Sequence, residues 1–297
     1  MRLIPVALAL FWGLNWPAVK IILSIFPPFT LRLLGLGSGA VLLLLLARAQ
    51  RLPLLPPRES WRGIAVGGLL AVAAFNLLVA WAQLSTSTSR AAVLTFTMPM
   101  MSALLAWAVL GERLDGRRAL ALLLGAAGVS ILAWPVLRAV FGEHDVAAAK
   151  GLMFPLVAAF CWAAGSVYLK GWPVAGNRIV VTAWQLAVGT ACALGGVLIA
   201  GESFPTQGWN GRVVGALSFH IILGTAVAYW LWFVLSERVS ATVAALTTLM
   251  VPVVGVLGAM ALVGDRPAAM DWWGFGLVLG GAALIVLNLG AAPRRNR

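Results

Sequence analysis

The sequence predicts an all-α integral membrane protein with ten transmembrane helices, arranged as two inverted five-helix repeats around a central cavity. Three observations lead to this fold class: the apolar composition, the number of long apolar runs and an internal repeat. Of the 297 residues, 62% are hydrophobic and only 10% are charged. A soluble domain carries roughly 25% charged residues and has no means of burying so much apolar surface. We therefore expect the chain to be dissolved in a lipid bilayer.

Ten apolar runs are long enough to be transmembrane helices. A helix needs about 20 apolar residues to span the hydrocarbon core. Helix is expected because lipid leaves an exposed sheet edge without hydrogen-bond partners. The predicted spans are Leu3–Leu23, Thr30–Ala47, Gly63–Leu84, Ala91–Leu110, Ala119–Leu137, Gly151–Leu169, Ile179–Ala200, Val213–Leu235, Thr242–Val263 and Trp272–Leu289.

The stretch at residues 91–131 recurs without a gap at residues 244–284, which is 153 positions later. Self-similarity at a fixed offset indicates a duplicated structural unit. The identical pairs include Ala91/Ala244, Ala92/Ala245, Thr95/Thr248, Pro99/Pro252, Gly111/Gly264, Arg113/Arg266 and Gly128/Gly281. We predict a first repeat over residues 1–138, an outer connecting loop over 139–150, a second repeat over 151–291 and a basic cytoplasmic tail over 292–297.

The distribution of Lys and Arg predicts the orientation of the chain. With a cytoplasmic N-terminus, fourteen basic residues lie inside and five outside, and this bias places both termini in the cytoplasm. The five outside are Arg90, Arg138, Lys150, Arg212 and Arg266. The fourteen inside are Arg2, Arg48, Arg51, Arg58, Arg62, Arg113, Arg117, Arg118, Lys170, Arg178, Arg238, Arg294, Arg295 and Arg297. Because each repeat has an odd number of helices, the second enters the membrane upside down, as in many secondary transporters.

No catalytic or metal-binding motif is visible in the sequence. The nine acidic residues all lie in loops or at helix ends, and neither a zinc helix nor a nucleotide-binding loop occurs. Cys161 and Cys192 both fall inside apolar runs, which disfavours a disulfide framework or a zinc site. We expect no enzymatic activity, no metal and no cofactor. The net charge of +12 is explained by positive loops beside the spans rather than by nucleic-acid binding.

Polar and aromatic residues inside the spans are the candidates for a substrate site. Buried amides usually face the interior of a helix bundle, and an indole ring offers a flat apolar wall with one donor. Packing between helices is the competing explanation for these residues. The predicted substrate-binding residues are Trp12, Asn15, Asn76, Thr95, Met98, Trp162, Ser166, Gln185, Tyr229 and Thr248.

Pro99 and Pro252 lie in the middle of predicted spans, at equivalent positions of the two repeats. Each removes the hydrogen bond to the carbonyl four residues earlier, which belongs to Thr95 or Thr248. We predict that both prolines are hinges in kinked helices that line the cavity. The alternative is that the threonine hydroxyls satisfy the gap, because prolines are common in membrane helices.

Three ionisable residues lie within predicted spans. Lys20 is expected to extend to the lipid headgroups, whereas Arg32 either does the same or attracts a carboxylate. His220 either forms a hydrogen bond within the bundle or relays protons. Because no Asp or Glu lies in a span, a uniporter is a simpler mechanism than a proton-coupled carrier.

Several motifs together resemble the EamA branch of the drug/metabolite transporter superfamily. They are Phe11-Trp12-Gly13-x-Asn15, Ala91-Ala92-x-x-Thr95-x-x-x-Pro99, and Gly111-Glu112-Arg113 with its second copy. The resemblance covers essentially the whole chain, and the tryptophan content is most similar to that of bacterial aromatic amino-acid exporters. It implies a bundle in the bacterial inner membrane that exports amino acids, in particular aromatic ones, and related metabolites by alternating access. We expect a monomer whose partners are the amino-acid substrate and the lipid bilayer, with no nucleic acid.

Other functions remain open from the sequence. The chain lacks the first-helix glutamate of the small multidrug-resistance relatives, which disfavours proton-driven export of cationic drugs. A multidrug or nucleotide-sugar carrier of the same fold is one alternative. A membrane-embedded lipid-modifying enzyme and a structural assembly subunit are alternatives of other classes.

Overall fold

The computed structural model describes residues 4–112, 114–142, 146–228, 231 and 241–289. Side chains at 5, 146–147, 241–249 and 285–289 lie outside the described part. The secondary structure of the described residues is helical throughout. Within them, six helices are long and apolar enough to cross a membrane, and three shorter apolar helices accompany these. The protein is therefore an all-helical, multi-pass membrane protein.

The helices follow the predicted apolar runs and are labelled here in chain order. They are α1 (Ile4–Ile22), α2 (Pro28–Ala49), α3 (Arg58–Ser85), α4 (Thr88–Leu110), α5 (Gly116–Gly142), α6 (Lys150–Gly171), α7 (Arg178–Ala200), α8 (Gly211–Val227), α9 (Ala241–Val263) and α10 (Ala269–Leu289). A short 3₁₀ helix, Val146–Ala149, precedes α6. Most helix ends lie within a few residues of the predicted ends. The reason is that each apolar run stops close to the residues that cap the helix.

Two helix ends have the same geometry at positions that the sequence repeat makes equivalent. Gly111 follows α4 with φ of 67°, and Gly264 follows α9 with φ of 73°. In each case the next amide, at residue 112 or 265, donates to the carbonyl six residues earlier at 3.2 Å. Glycine suits both positions because it has no Cβ to clash in the left-handed region.

Helices α3 and α8 each contain a π-helical segment, which the sequence does not predict. The segments are Gly68–Ala74 in α3 and His220–Val227 in α8. Their first residues are 152 positions apart, close to the offset of the sequence repeat. A π segment widens the helix and is found frequently at functional sites.

Helix α4 is interrupted, so the structure differs from the kinked helix expected at Pro99. Its two segments are Thr88–Thr95 and Met98–Leu110, and Pro99 lies in the first turn of the second segment. Proline is favourable there because a first-turn amide has no partner within the helix. Pro252, by contrast, lies inside the uninterrupted helix α9. The two prolines are therefore equivalent in sequence but not in local structure.

The largest helix contacts follow a pattern that is preserved when each helix is exchanged for the one five places along the chain. Helix α1 packs on α9, and correspondingly α6 packs on α4. Helix α3 packs on α6 and α7, and correspondingly α8 packs on α1 and α2. The two largest contacts join equivalent helices, α2 with α7 and α5 with α10. The main apolar cluster lies where α4, α5, α9 and α10 meet.

Candidate functional site

A buried hydrogen bond joins two helices in the interior of the bundle. His220 Nδ1 lies 2.7 Å from Oδ1 of Asn15, so α8 is joined to α1 at the start of the π segment. An amide oxygen only accepts, so the imidazole proton of the neutral ring is placed on Nδ1. The other ring nitrogen, Nε2, is buried and has no hydrogen-bond partner among the described residues. It faces Gly35 of α2, where a Cβ atom would lie 2.4 Å away.

A buried arginine extends this polar group to a third and fourth helix. Arg32 of α2 is only 3% exposed, and its Nε donates to the backbone carbonyl of Asn76 in α3 at 2.9 Å. The side-chain amide of Asn76 in turn donates to the carbonyl of Val72, within the π segment, at 2.9 Å. Arg32 also lies close enough to His220 to act on it electrostatically. We call Asn15, Arg32, Asn76 and His220 the interior polar group.

The indole of Trp12 forms an aromatic wall near this group. Trp12, one turn before Asn15 on α1, packs against the apolar cluster that includes Val93 and Leu94 of α4. Met98, at the interruption of α4, packs against the same cluster. The predicted residues Trp12 and Met98 therefore pack against the same apolar cluster, and Asn15 lies one turn away from the indole on α1.

The other predicted site residues are placed differently. Thr95 is fully buried, and its hydroxyl donates to the carbonyl of Ala91 at 2.7 Å, so the hydroxyl is occupied by its own helix. The side-chain nitrogen of Gln185 lies against Gly67 of α3, away from the interior polar group. Trp162 and Ser166 are half-buried on α6, and no hydrogen bond in the described part joins them to Asn15 or His220. Tyr229 and the side chain of Thr248 lie outside the described residues.

Three polar contacts lie at the predicted outer end of the bundle. They involve α1, α3, α4, the α9–α10 loop and the first turn of α10. Ser89 donates to Asp265 Oδ2 from its amide at 2.8 Å and from its hydroxyl at 3.0 Å. Arg90 donates to Asp271 Oδ1 from Nε at 3.0 Å and from Nη2 at 2.7 Å. Lys20 donates to the carbonyl of Gln83 in α3. We call these three contacts the polar latch.

The latch contacts of Ser89 and Arg90 join the two halves of the chain and are largely buried. Ser89 is fully buried, and the Asp271 side chain is 8% exposed. Lys20 is half-buried and its ammonium group donates to a carbonyl two residues before the end of α3. Its extension to the headgroups therefore stays a prediction. Asp265 is near enough to add an attractive charge.

A second ionic group lies at the opposite end of the bundle. Glu112 pairs with Lys170 and with Arg118, the latter at 3.2 Å. The hydrogen bond from Lys170, together with the two positive charges, lowers the pKa of Glu112. Lys170 corresponds to Lys20 at the offset of 150, and Glu112 corresponds to Asp265 at the offset of 153. Related residues therefore form ionic or polar contacts at both ends.

Sequence reasoning missed several residues that the structure brings into these groups. Arg32 and His220 were considered one at a time, and the hydrogen-bond partner expected for His220 was not named, although both belong to the interior polar group. Asp265, Asp271 and Gln83 were not candidates, because nothing local in the sequence indicates partners more than 60 positions away. The available signals were that His220 is the only histidine in a span and that Lys20 has a counterpart in the second half.

Two features limit the chemistry of the described residues. They contain no group of three or more His, Cys, Asp or Glu side chains that could hold a metal ion. Two apolar grooves lie between α2 and α8 and between α1 and α8, and neither is lined by a predicted site residue. The interior polar group offers hydrogen bonds and positive charge, which suit binding of a polar solute.

Comparison with known proteins identifies the family. The model of the EamA-like transporter family matches residues 3–134 and again residues 149–287. The chain belongs to the EamA-like transporter family. The resemblance noted in the sequence is confirmed, and each half of the chain matches the family separately.

Relatives of this EamA protein include named transporters. It is 25% identical over 289 residues to a probable amino-acid metabolite efflux pump of Escherichia coli, covering 94% of this chain and 92% of the relative. It is 27% identical over 253 residues to the uncharacterized transporter YvbV of Bacillus subtilis, covering 84% of this chain and 79% of the relative. A crystal structure of another protein matches with a TM-score of 0.64 at 22% identity, over 97% of this chain and 96% of the other. That likeness shows a shared fold.

Proposed function

We propose that this EamA-family protein exports amino acids, in particular aromatic ones, and related metabolites across the bacterial inner membrane by alternating access. The observation that carries the proposal is the interior polar group beside the Trp12 wall. Arg32 supplies a positive charge for a carboxylate, Asn15 and Asn76 supply amides, and the indole supplies an apolar surface for a side chain. The similarity to a probable amino-acid metabolite efflux pump supports the same substrate class.

We infer that residues 1–138 and 151–291 are inverted repeats. The two family matches, the exchange-symmetric helix packing and the paired π segments support this inference. In transporters of this kind the solute site lies at the interface of the repeats near the middle of the membrane. Asn15 and His220 come from different repeats and are joined there by a hydrogen bond.

We also infer that the described conformation is closed at the end that carries the polar latch. The positive-inside rule places this end outside and both termini in the cytoplasm. Opening to the outside then requires that the latch contacts break. It also requires that helices α4 and α9 move relative to each other. The interruption before Pro99 and the proline at 252 are the proposed hinges, and the protein is proposed to work as a monomer.

A uniport mechanism fits the described charges. The acidic residues of the described helices are at helix ends, as Asp271 is in the first turn of α10. Carboxylates that carry protons in exporters usually lie within the membrane. Dissipating a proton gradient in sealed proteoliposomes should therefore leave exchange of solute unchanged, and a collapse of exchange would favour proton coupling.

Counterflow in proteoliposomes tests substrate and site together. Vesicles loaded with unlabelled phenylalanine, tryptophan or threonine should accumulate the labelled form of the same amino acid. Asn15→Leu should reduce counterflow about tenfold, because it removes a buried hydrogen bond worth about 1–3 kcal/mol. The matched control is Ser130→Ala, which alters an exposed hydroxyl on α5 and should leave counterflow unchanged. If none of the three amino acids accumulates, the substrate class is wrong; if Asn15→Leu is as active as the wild type, the site is wrong.

A further inference from the structure

Five exposed arginines are brought together at the predicted cytoplasmic end of the bundle, where α2, α3, α6 and α7 meet. Ala47 of α2 and Ile179 of α7 belong to one apolar cluster, and each is adjacent in sequence to one of these arginines. In the described part, none of the five forms an ion pair, although Glu59 lies beside Arg58 in the first turn of α3. We call the five residues the arginine patch: Arg48, Arg51, Arg58, Arg62 and Arg178.

The backbone under the arginine patch is held by specific contacts between the two halves of the chain. The hydroxyl of Ser60 donates to the carbonyl of Ala175 at 2.8 Å. The indole of Trp184 donates to the carbonyl of Leu54 at 2.9 Å. Trp61 meets Trp184 edge to face with ring centroids 4.9 Å apart. The guanidinium groups are therefore carried by an ordered frame and not by a loose loop.

Arg51 occupies a backbone conformation that favours glycine. Its φ is 56°, and no other non-glycine residue in the described part has a positive φ. Its counterpart 150 positions later is Gly201, with φ of 63°. The next amide donates to the carbonyl five residues earlier in both places, at 2.9 and 3.0 Å. A non-glycine residue in the left-handed region is strained. Residues with such strain cluster at functional sites.

Glu59 lies between Arg58 and Arg62 in the sequence and offsets one of the five positive charges, so most of the charge of the patch is left without a balancing carboxylate. At the same end, Glu112 is already engaged by Lys170 and Arg118. Trp61 is 37% exposed beside the patch, as expected of an indole at the level of the lipid headgroups. A patch of guanidinium groups at this depth lies where phosphodiester groups of the inner leaflet are concentrated.

We propose that the arginine patch binds the headgroups of anionic glycerophospholipids in the cytoplasmic leaflet. The planar guanidinium group donates two parallel hydrogen bonds to a phosphate, which a lysine does not. Bound lipid thereby links the loop before α3 to the start of α7, across the two halves. This proposal does not depend on which solute the protein transports.

Lipid retention in native mass spectrometry tests the proposal on the full chain. The probes are phosphatidylglycerol and phosphatidylcholine with identical acyl chains. The wild type should retain phosphatidylglycerol in preference, and the triple variant Arg51→Gly, Arg58→Gln, Arg178→Gln should retain it about a hundredfold more weakly, since each basic residue near an anionic surface contributes a factor of about five. The matched control removes the same charge at the opposite end with Arg138→Gln, Lys150→Gln and Arg266→Gln. It should retain the lipid as the wild type does. Equal losses in both triple variants would show an effect of net charge and overturn the proposal, as would unchanged retention in the first.

A single substitution separates lipid binding from a structural role of Arg51. Arg51→Gly relieves the left-handed strain, so the melting temperature in detergent without anionic lipid should stay the same or rise. The same variant should retain phosphatidylglycerol about fivefold more weakly. A lower melting temperature with unchanged lipid retention would show that Arg51 serves the fold alone.

Discussion

Asp271 gives the sharpest test of the polar latch. Asp271→Asn removes the negative charge that faces Arg90 while nearly preserving side-chain volume. In the structure one carboxylate oxygen accepts two hydrogen bonds from Arg90, at 3.0 and 2.7 Å, and the other accepts from the amide of Ala268 at 2.9 Å. The side chains are 22% and 8% exposed, so the guanidinium would be left poorly solvated.

The cost of the substitution follows from this burial. Breaking a buried ion pair by removing one partner costs about 3–5 kcal/mol, and the partial exposure of Arg90 argues for the lower value. About 3 kcal/mol corresponds to roughly a hundredfold change in an equilibrium constant. If the latch is broken when the outer end opens, Asp271→Asn destabilises the closed state by this amount and leaves the free energy of the open state unchanged. The open fraction should then rise by up to roughly a hundredfold.

Thiol labelling measures this shift directly. A single cysteine at Met98, in a background with Cys161→Ser and Cys192→Ser, is exposed to a membrane-impermeant maleimide from the outside. Labelling should be slow in the wild type and much faster with Asp271→Asn. The charge-swapped pair Arg90→Asp with Asp271→Arg should restore slow labelling. Glu112→Gln, at the opposite end, is the control and should not accelerate it. Labelling within about twofold of the wild type in Asp271→Asn would refute the latch.

Two further predictions concern stability. Gly224→Ala places a Cβ 2.6 Å from Oδ1 of Asn15, so it should displace that amide from its histidine and lower the unfolding free energy by about 1–3 kcal/mol. Gly215→Ala on the same helix meets nothing within 4 Å and should melt like the wild type; equal melting of both variants would contradict the packing. The second prediction concerns pH. Because Lys170 lowers the pKa of Glu112 below its usual 4.5, the pair's stabilisation is complete above that value and is lost as the pH falls through the lowered pKa. The difference in melting temperature between the wild type and Glu112→Gln should therefore shrink in acid, and a difference independent of pH would argue against the pair.

Much of the fold was predictable from the sequence because lipid imposes a simple rule. Apolar runs of sufficient length must be helices in a bilayer, and the observed helices follow those runs. The glycines at 111 and 264 were predicted as equivalent joints, and both have the left-handed conformation that ends a helix. The interruption at Pro99 was only half predicted, because proline marks a weakness in a helix without deciding whether it kinks or breaks.

The candidate site was predictable only in part, and for a physical reason. Trp12, Met98 and Asn15 were identified by residue type and position in a span. The structure packs Trp12 and Met98 against one apolar cluster, and Asn15 lies one turn from Trp12. Thr95 is fully buried and its hydroxyl bonds to its own helix, a contact that sequence spacing does not reveal. Its role in lining the site stays a prediction. Arg32 was open between the headgroups and the interior, and burial at 3% places it in the interior.

The sequence by itself determined the class of protein, its helical spans and the duplication, since these depend on composition and on residues close in the chain. Only the tertiary structure decided the partners: His220 with Asn15, Arg32 with Asn76, and Arg90 with Asp271. It also decided the π segments, because an apolar α-helical segment and an apolar π-helical segment have similar sequences. In a bilayer nearly every side chain of a span is apolar, so periodicity does not tell which face meets which helix. That choice is made by close packing and by the need of each buried polar group for a partner.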